Sequence, residues 1–390
     1  MWRRKKHRQW TVVAAACAAL ALTACSQGGA DTVDSGGREA KYKRVIEDRH
    51  PRPADVIEMA GAPTDVARTD DGSLLLTYDA RNVEDDEGPA ATAWRIIGPD
   101  GATVAQQAEH TDAEAAPVEF KGVAGGFVRV PSEGGADGAY ALDVRGKRQK
   151  VGISGTPVRT RPGDVLLTEL EPTLIYRPAT RTAAPPAGVP EGAVRVAVDE
   201  RGTVWTLDQS LTEDPDRVVW QRDGRTLGST TVPKPYVGGG ALVARGGTAA
   251  LPLTRSESVS GLLVTTDSGE HWRTVLAGGI AWKSLKRGPE SLVLEILGDG
   301  RLLVGEEGGR YWLADDHSNT AFRELKTPTA FTSLTVHGTT LYGMADATTA
   351  TYGLVKDEGL WISRDGGRDW RRHQQQGRPI RADGQAGTAR

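Results

Sequence analysis

A glycine followed after a short step by a run of mostly apolar residues recurs seven times along this chain. The copies begin at Gly72, Gly125, Gly163, Gly202, Gly247, Gly288 and Gly338. Their period is roughly 40–50 residues, a range in which internal repeats mean solenoids, propellers or arrays. Such spacing suits four short antiparallel strands per unit. The clearest unit opens with Val194-Arg195-Val196-Ala197-Val198, which passes through Asp199-Glu200 into the glycine copy at Gly202. The second half of most units supplies another hairpin: the run 94–97 turns at Pro99-Asp100-Gly101, 140–144 at Gly146, and 218–220 at Asp223-Gly224. Asp-Gly between apolar runs is a strong hairpin signal. Unit three is the weakest, because its Ala/Pro-rich end at 180–190 is expected to replace regular structure.

An octet of the form Ser/Thr-x-Asp-x-Gly-x-x-Trp marks the last third of the chain. It reads Thr265-Thr266-Asp267-Ser268-Gly269-Glu270-His271-Trp272 and Ser363-Arg364-Asp365-Gly366-Gly367-Arg368-Asp369-Trp370. A degenerate copy, Gly305-Glu306-Glu307-Gly308-Gly309-Arg310-Tyr311-Trp312, has Glu307 in place of the Asp, and its Gly309 and Trp312 keep the spacing. Each follows an apolar strand-like run. A carboxylate at that position accepts backbone N–H bonds within a turn. Glycine takes positive φ without a Cβ clash. The Trp opens the returning strand and buries its ring against the hairpin. All three octets are expected in the same slot of units five, six and seven.

These octets resemble the Asp-box, or BNR, repeats of sialidase-like β-propellers. The resemblance implies an all-β fold, a propeller of seven four-stranded blades with six as the alternative, spanning residues 51–375. It also implies that the octet residues are structural turns away from the central pocket. Residues 376–390 are read as a disordered tail.

The N-terminus carries Arg3, Arg4, Lys5, Lys6 and Arg8, then a short apolar, Ala-rich run over 11–22. That run is too short for a comfortable membrane span. Leu22-Thr23-Ala24-Cys25 follows and resembles a bacterial lipobox, in which Cys25 becomes the lipidated first residue. Residues 1–24 then form a signal peptide and 25–50 a lipidated, flexible tether with few apolar positions. Within that tether a short helix is allowed around 40–46. The expected location is the extracytoplasmic face of the cell membrane, anchored by lipid. Cys17 leaves with the leader, so the mature chain has neither a disulfide framework nor a catalytic thiol. Loss of the five basic residues makes a net charge of −3 more negative by five. An acidic chain without a basic block argues against nucleic acid as a partner.

Other chemistry is sparse. Sialidases of the family use an arginine cluster, a Tyr–Glu pair and an Asp acid/base. Their Arg-Ile-Pro signature is absent; Arg95-Ile96-Ile97 is the nearest string. Arg159, Arg161, Tyr342 and Tyr352 are candidates only if the fold brings them together, and solvated arginines with packed tyrosines are the expectation. No histidines are paired at metal-ligand spacing, and the acidic run 84–87 lacks the pattern of a calcium loop. No metal, cofactor or catalytic residue is therefore assigned. The favoured function is non-catalytic binding of an unidentified protein or glycan. An exo-acting glycosidase of the sialidase class is the alternative, because fold alone does not decide function.

Overall fold

Strand-forming runs separated by positive-φ glycines build seven sheets in this computed structural model. It describes residues 40, 43–81, 90–111, 119–130, 139–168, 173–190, 193–209, 214–276, 278–285, 288–306, 308–345 and 359–373. Each sheet is one blade of a seven-bladed β-propeller. Blades 1 and 2 span 65–111 and 120–150, blade 3 spans 152–184, and blades 4 to 7 span 193–231, 237–275, 292–324 and 333–372. In blades 1, 2, 4, 6 and 7 the strand order follows the chain, so every neighbouring pair is a hairpin. That is the arrangement expected from the repeat.

Five glycine copies, at 72, 125, 202, 247 and 338, sit in or beside the turn from the inner to the second strand. The other two do not. Gly163 precedes the inner strand Val165–Thr168, and Gly288 precedes the inner strand Leu292–Ile296. In blade 6 the equivalent turn belongs to Gly300, at φ 84°. An apolar run after a glycine marks a strand but does not say which strand of the blade it is.

Blade 3 is irregular, but its Ala/Pro-rich end does not replace regular structure as expected, because Thr182–Ala184 forms a strand paired to Leu174–Arg177. Its outer place is taken by Gly152–Ile153, which comes before the rest of the blade and runs parallel to Thr182–Ala184. Blade 5 has a broken inner strand, Val237–Gly238 and Val243–Arg245, both paired to Thr248–Arg255. Pro252 lies inside that second strand.

The apolar faces pack blade against blade. Leu75, Trp94 and Ile96 of blade 1 meet Phe127, Tyr140 and Leu142 of blade 2. Trp205 and Trp220 of blade 4 stack at 5.5 Å and pack with Leu251 and Leu253 of blade 5. Leu303 and Leu313 of blade 6 meet Leu334 and Leu341 of blade 7. Hydrogen bonds span the seam between blades 3 and 4: Thr160 Oγ1 donates to Gly202 O at 2.6 Å, and Gln221 Nε2 to Ala187 O at 3.5 Å.

A helix, α1 (Pro53–Ala60), precedes the first strand. Pro53 suits its first turn, because the missing N–H would have no helical partner there. Gly61 ends it at φ 74° and donates its N–H to Ile57 O. Val56 and Ile57 share one core with Tyr78 of blade 1 and Tyr342, Met344 and Leu360 of blade 7. Residues 43–47 are also helical, and Val45 and Ile46 join that core. Packing thus begins inside the stretch that composition assigned to the tether. The helical elements and the blades belong to one compact unit, Lys41–Arg390.

Candidate functional site

The inner strands of all seven blades surround a central cavity of about 700 Å³. Asp65 opens the inner strand of blade 1, and Glu119 immediately precedes that of blade 2. Lys121 follows on blade 2, Glu295 lies on blade 6, Arg245 ends the inner strand of blade 5, and His337 ends that of blade 7. Their neighbours Val66, Phe120, Leu294 and Val336 are buried. Strand alternation explains this pattern: one set of side chains enters the blade core and the other meets the channel.

Several of these groups already hold partners. Arg245 Nε donates to Glu200 Oε1 at 2.8 Å, and Glu200 Oε2 accepts the Gly246 N–H at 2.9 Å. Lys121 Nζ donates to Leu166 O at 3.0 Å. His337 Nε2 lies 2.9 Å from Val66 O; a carbonyl only accepts, so Nε2 carries the proton. Burial pulls the His337 pKa below its ordinary value, which keeps the ring neutral. Asp65 Oδ1 accepts the Val66 N–H at 2.7 Å. Glu295 has no hydrogen-bond partner among the described residues.

Burial pushes Asp65 up to about 6, with help from the nearby Glu119 charge. It pushes Glu295 up to about 7, although Lys121 and Arg245 act in the opposite direction. Glu295 keeps some contact with channel space, but protein surrounds it at longer range. Among the carboxylates that line the channel, Asp65, Glu119 and Glu295 have no salt bridge, and Lys121 is the one lysine in its lining. The channel offers both donors and acceptors to a polar occupant.

The first and last octets form matching turns between the third and outer strands of blades 5 and 7. Thr265 Oγ1 donates to Asp267 Oδ1 at 2.8 Å and accepts the Gly269 N–H at 3.0 Å. Ser363 Oγ donates to Asp365 Oδ1 at 2.8 Å and accepts the Gly367 N–H at 2.8 Å. The Asp then accepts a backbone N–H four residues on, from His271 at 2.9 Å or Asp369 at 3.1 Å. At Gly269, φ is 94° and an added Cβ would stand 2.4 Å from Trp220. Trp272 packs on Trp205 and Trp220, and Trp370 on Phe331 at 4.9 Å.

The degenerate octet differs. Glu307 lies outside the described residues. Gly309 and Trp312 belong to the turn and hairpin between the second and third strands of blade 6. The expectation of one shared slot is thus corrected. Apolar runs flank both kinds of hairpin, so the run before an octet does not distinguish them. In blade 6 the slot is filled by residues 315–321, where Asp316 Oδ1 accepts the Ser318 N–H at 2.8 Å and Asn319 Oδ1 accepts the Leu302 N–H at 2.8 Å.

The candidates for sialidase-type chemistry are dispersed. Arg95 donates to Gln106 on the next strand. Arg159 and Arg161 are exposed on the segment leading into the inner strand of blade 3. Tyr342 is packed between blades 7 and 1 at 3% exposure, edge-on to His337. Tyr352 lies outside the described residues. Asp267, Glu270 and His271 bring ligand-type atoms within 4.8 Å of one another, a grouping that sequence spacing did not suggest. Both Asp267 oxygens already accept hydrogen bonds there, including one from His271 Nδ1 at 2.7 Å, which identifies turn chemistry.

Fold and site define a seven-bladed β-propeller with a charged central channel. No protein-family model matches the chain, and no curated protein matches it. Among solved structures, it is similar to a puromycin-hydrolyzing peptidase of Mycobacterium tuberculosis at 15% identity, over 85% of this chain and 56% of that one, with a TM-score of 0.47. It is also similar to PorZ, a surface component of the type-IX secretion system of Porphyromonas gingivalis, at 10% identity over 81% and 38%, TM-score 0.46. A third likeness is to the Dos1 propeller, at 11% identity over 72% and 74%, TM-score 0.39. The chain thus spans little more than half of the first protein and less than half of the second. Function has to be argued from this chain's own site.

Proposed function

We propose that this chain is an exported, lipid-anchored propeller that binds a protein or glycan through its central channel without transforming it. The observation that carries this reading is the channel itself. All seven blades contribute to one cavity of ligand size, and its walls hold carboxylates and an ammonium with unused hydrogen-bonding capacity. Pockets of 300–1,000 Å³ with a few convergent polar groups are the usual form of small-ligand sites. The anchor rests on Leu22-Thr23-Ala24-Cys25 behind a basic, apolar leader. The octets at Asp267 and Asp365 are read as Asp-box turns that brace blades 5 and 7 and take no part in binding.

The test is capture from cell envelopes by the full-length protein, compared with a Lys121→Ala variant that keeps its melting temperature. Specific capture by the wild type, changed in the variant, is expected; equal capture by both removes the channel from the reading. For the anchor, Cys25→Ser should abolish lipidation and release the protein or leave it unprocessed. Normal mass and membrane retention would refute the lipoprotein assignment. The glycosidase alternative predicts turnover of a fluorogenic sialoside between about pH 4 and 8, where carboxylate acid/base pairs work. Dispersal of Arg95, Arg159, Arg161 and Tyr342 favours no turnover above background.

A further inference from the structure

We propose that the channel cluster of Asp65, Glu119 and Glu295 around Lys121 binds a small organic cation that carries primary ammonium groups. This rests on the reading of the channel as a binding site and adds a small ligand to the protein or glycan proposed above. Three carboxylates from blades 1, 2 and 6 meet one lysine, and that lysine is partly engaged by Leu166 O. The other cation on this wall, Arg245, is paired with Glu200. His337 is neutral and donates to Val66 O. Acceptors therefore exceed donors in a cavity large enough for an extended molecule.

Glu295 points to an occupant independently of the charge count. It is enclosed within the ring, lines the cavity, and lacks a hydrogen-bond partner among the described residues. Its side chain is only part-buried and faces channel space, so its acceptor capacity is open to an occupant. Burial raises its pKa to about 7, so near neutrality an arriving cation displaces a proton and leaves a charge-assisted pair.

The chemistry of the walls narrows the class. A single metal ion needs its ligand atoms gathered closely. Among the described residues only Asp267, Glu270 and His271 gather within 4.8 Å, and the channel carboxylates do not. An ammonium with its own N–H donors bridges wider gaps. A quaternary ammonium would need an aromatic cage, but the one aromatic in the lining, Phe120, is 3% exposed and packed between blades 1 and 2.

The test is calorimetric titration of the full-length protein with spermidine, calcium and choline. Spermidine should bind at pH 7.5, and calcium and choline should bind much more weakly. Glu295→Gln keeps the side-chain shape and should weaken spermidine by about tenfold or more, the usual loss for a charge-assisted hydrogen bond. Lys121→Met removes the competing cation and should tighten spermidine, an effect in the opposite sense to general damage. Binding should weaken as pH falls from 7.5 to 5.5, because Glu295 and Asp65 take up protons and lose the charge that holds the ammonium. Absent spermidine binding, unchanged affinity in Glu295→Gln, or preference for calcium or choline would each overturn the proposal. If envelope capture depends on the channel while spermidine does not bind, the binding-module reading stands and the ammonium specificity falls.

Discussion

Ser363 is fully buried, and its hydroxyl is both donor and acceptor in the turn it opens. It accepts the Gly367 N–H, which is buried behind it. Ser363→Ala leaves that N–H without a partner, at a cost of about 1–3 kcal/mol. Thr265→Val should act similarly through the Gly269 N–H. Trp370→Ala removes ring packing on Phe331, but Trp370 is only partly buried. Its loss should fall below the range of about 3–5 kcal/mol for a fully buried aromatic. Chemical denaturation of each variant measures these costs, and a stable Ser363→Ala protein would show that the turn does not depend on its hydroxyl. At this scale the sequence was highly legible. The octet spacing at Asp267 and Asp365 encodes hydrogen bonds between near neighbours, which the order of residues specifies directly. The degenerate copy at Glu307 was misplaced because its flanking runs are equally apolar, and no local pattern ranks the strands within a blade.

At the level of elements, the ring closes without strand exchange: blade 1 is built only from early strands and blade 7 only from the last ones. The helix α1 and the turn at 43–47 pack into the seam between them. Eight residues give barely two helical turns, too few for the 3.6-residue period to stand out from the strand signal. The helix was therefore not read from the sequence, although Pro53 and Gly61 bound it. Val56, fully buried, is its test. Val56→Asp buries an unpaired charge and should lower the melting temperature by several degrees or more. Hydrogen exchange should quicken first in strands of blades 1 and 7 and leave blades 4 and 5 protected. Uniform loss of protection would mean that α1 stabilises the ring as a whole and does not fasten one seam.

Over the whole molecule, repeat period and hairpin signals narrowed the fold to a propeller of seven or six blades, but the channel was invisible. Asp65, Glu119 and Glu295 are separated by up to 230 residues of chain, and each looks like an ordinary strand-edge charge until the ring closes. Burial of Asp65 and Glu295 in the ring gives these two a pH dependence opposite to that of carboxylates held by hydrogen bonds or ion pairs. The ordinary values for Asp65 and Glu295 are 3.8 and 4.5; in the ring they rise to about 6 and about 7. Between about pH 4 and 7 these two groups hold more protons in the folded protein than in the unfolded chain, so their contribution to stability falls as pH rises through that window. Below it both groups are protonated in both states, and above it the penalty is complete, at most about 3 kcal/mol for each. Asp267 works the other way. Its value is lowered to about 2, chiefly by the His271 N–H, and its contribution is lost only in stronger acid. That contribution is small, because a side chain 38% exposed is screened by water. The contribution of Asp65 and Glu295 to the melting temperature should therefore be greatest near pH 4–5 and decline toward pH 8, against the opposite trend of the buried, lowered His337 and His373. Glu295→Gln, which cannot ionise, should flatten the decline and exceed the wild type at pH 8 while matching it at pH 4.5. Scanning calorimetry of the two proteins across this range provides the test. Parallel curves would mean that the Glu295 carboxylate is already solvated, and the ring would then have no unmet charge at its centre.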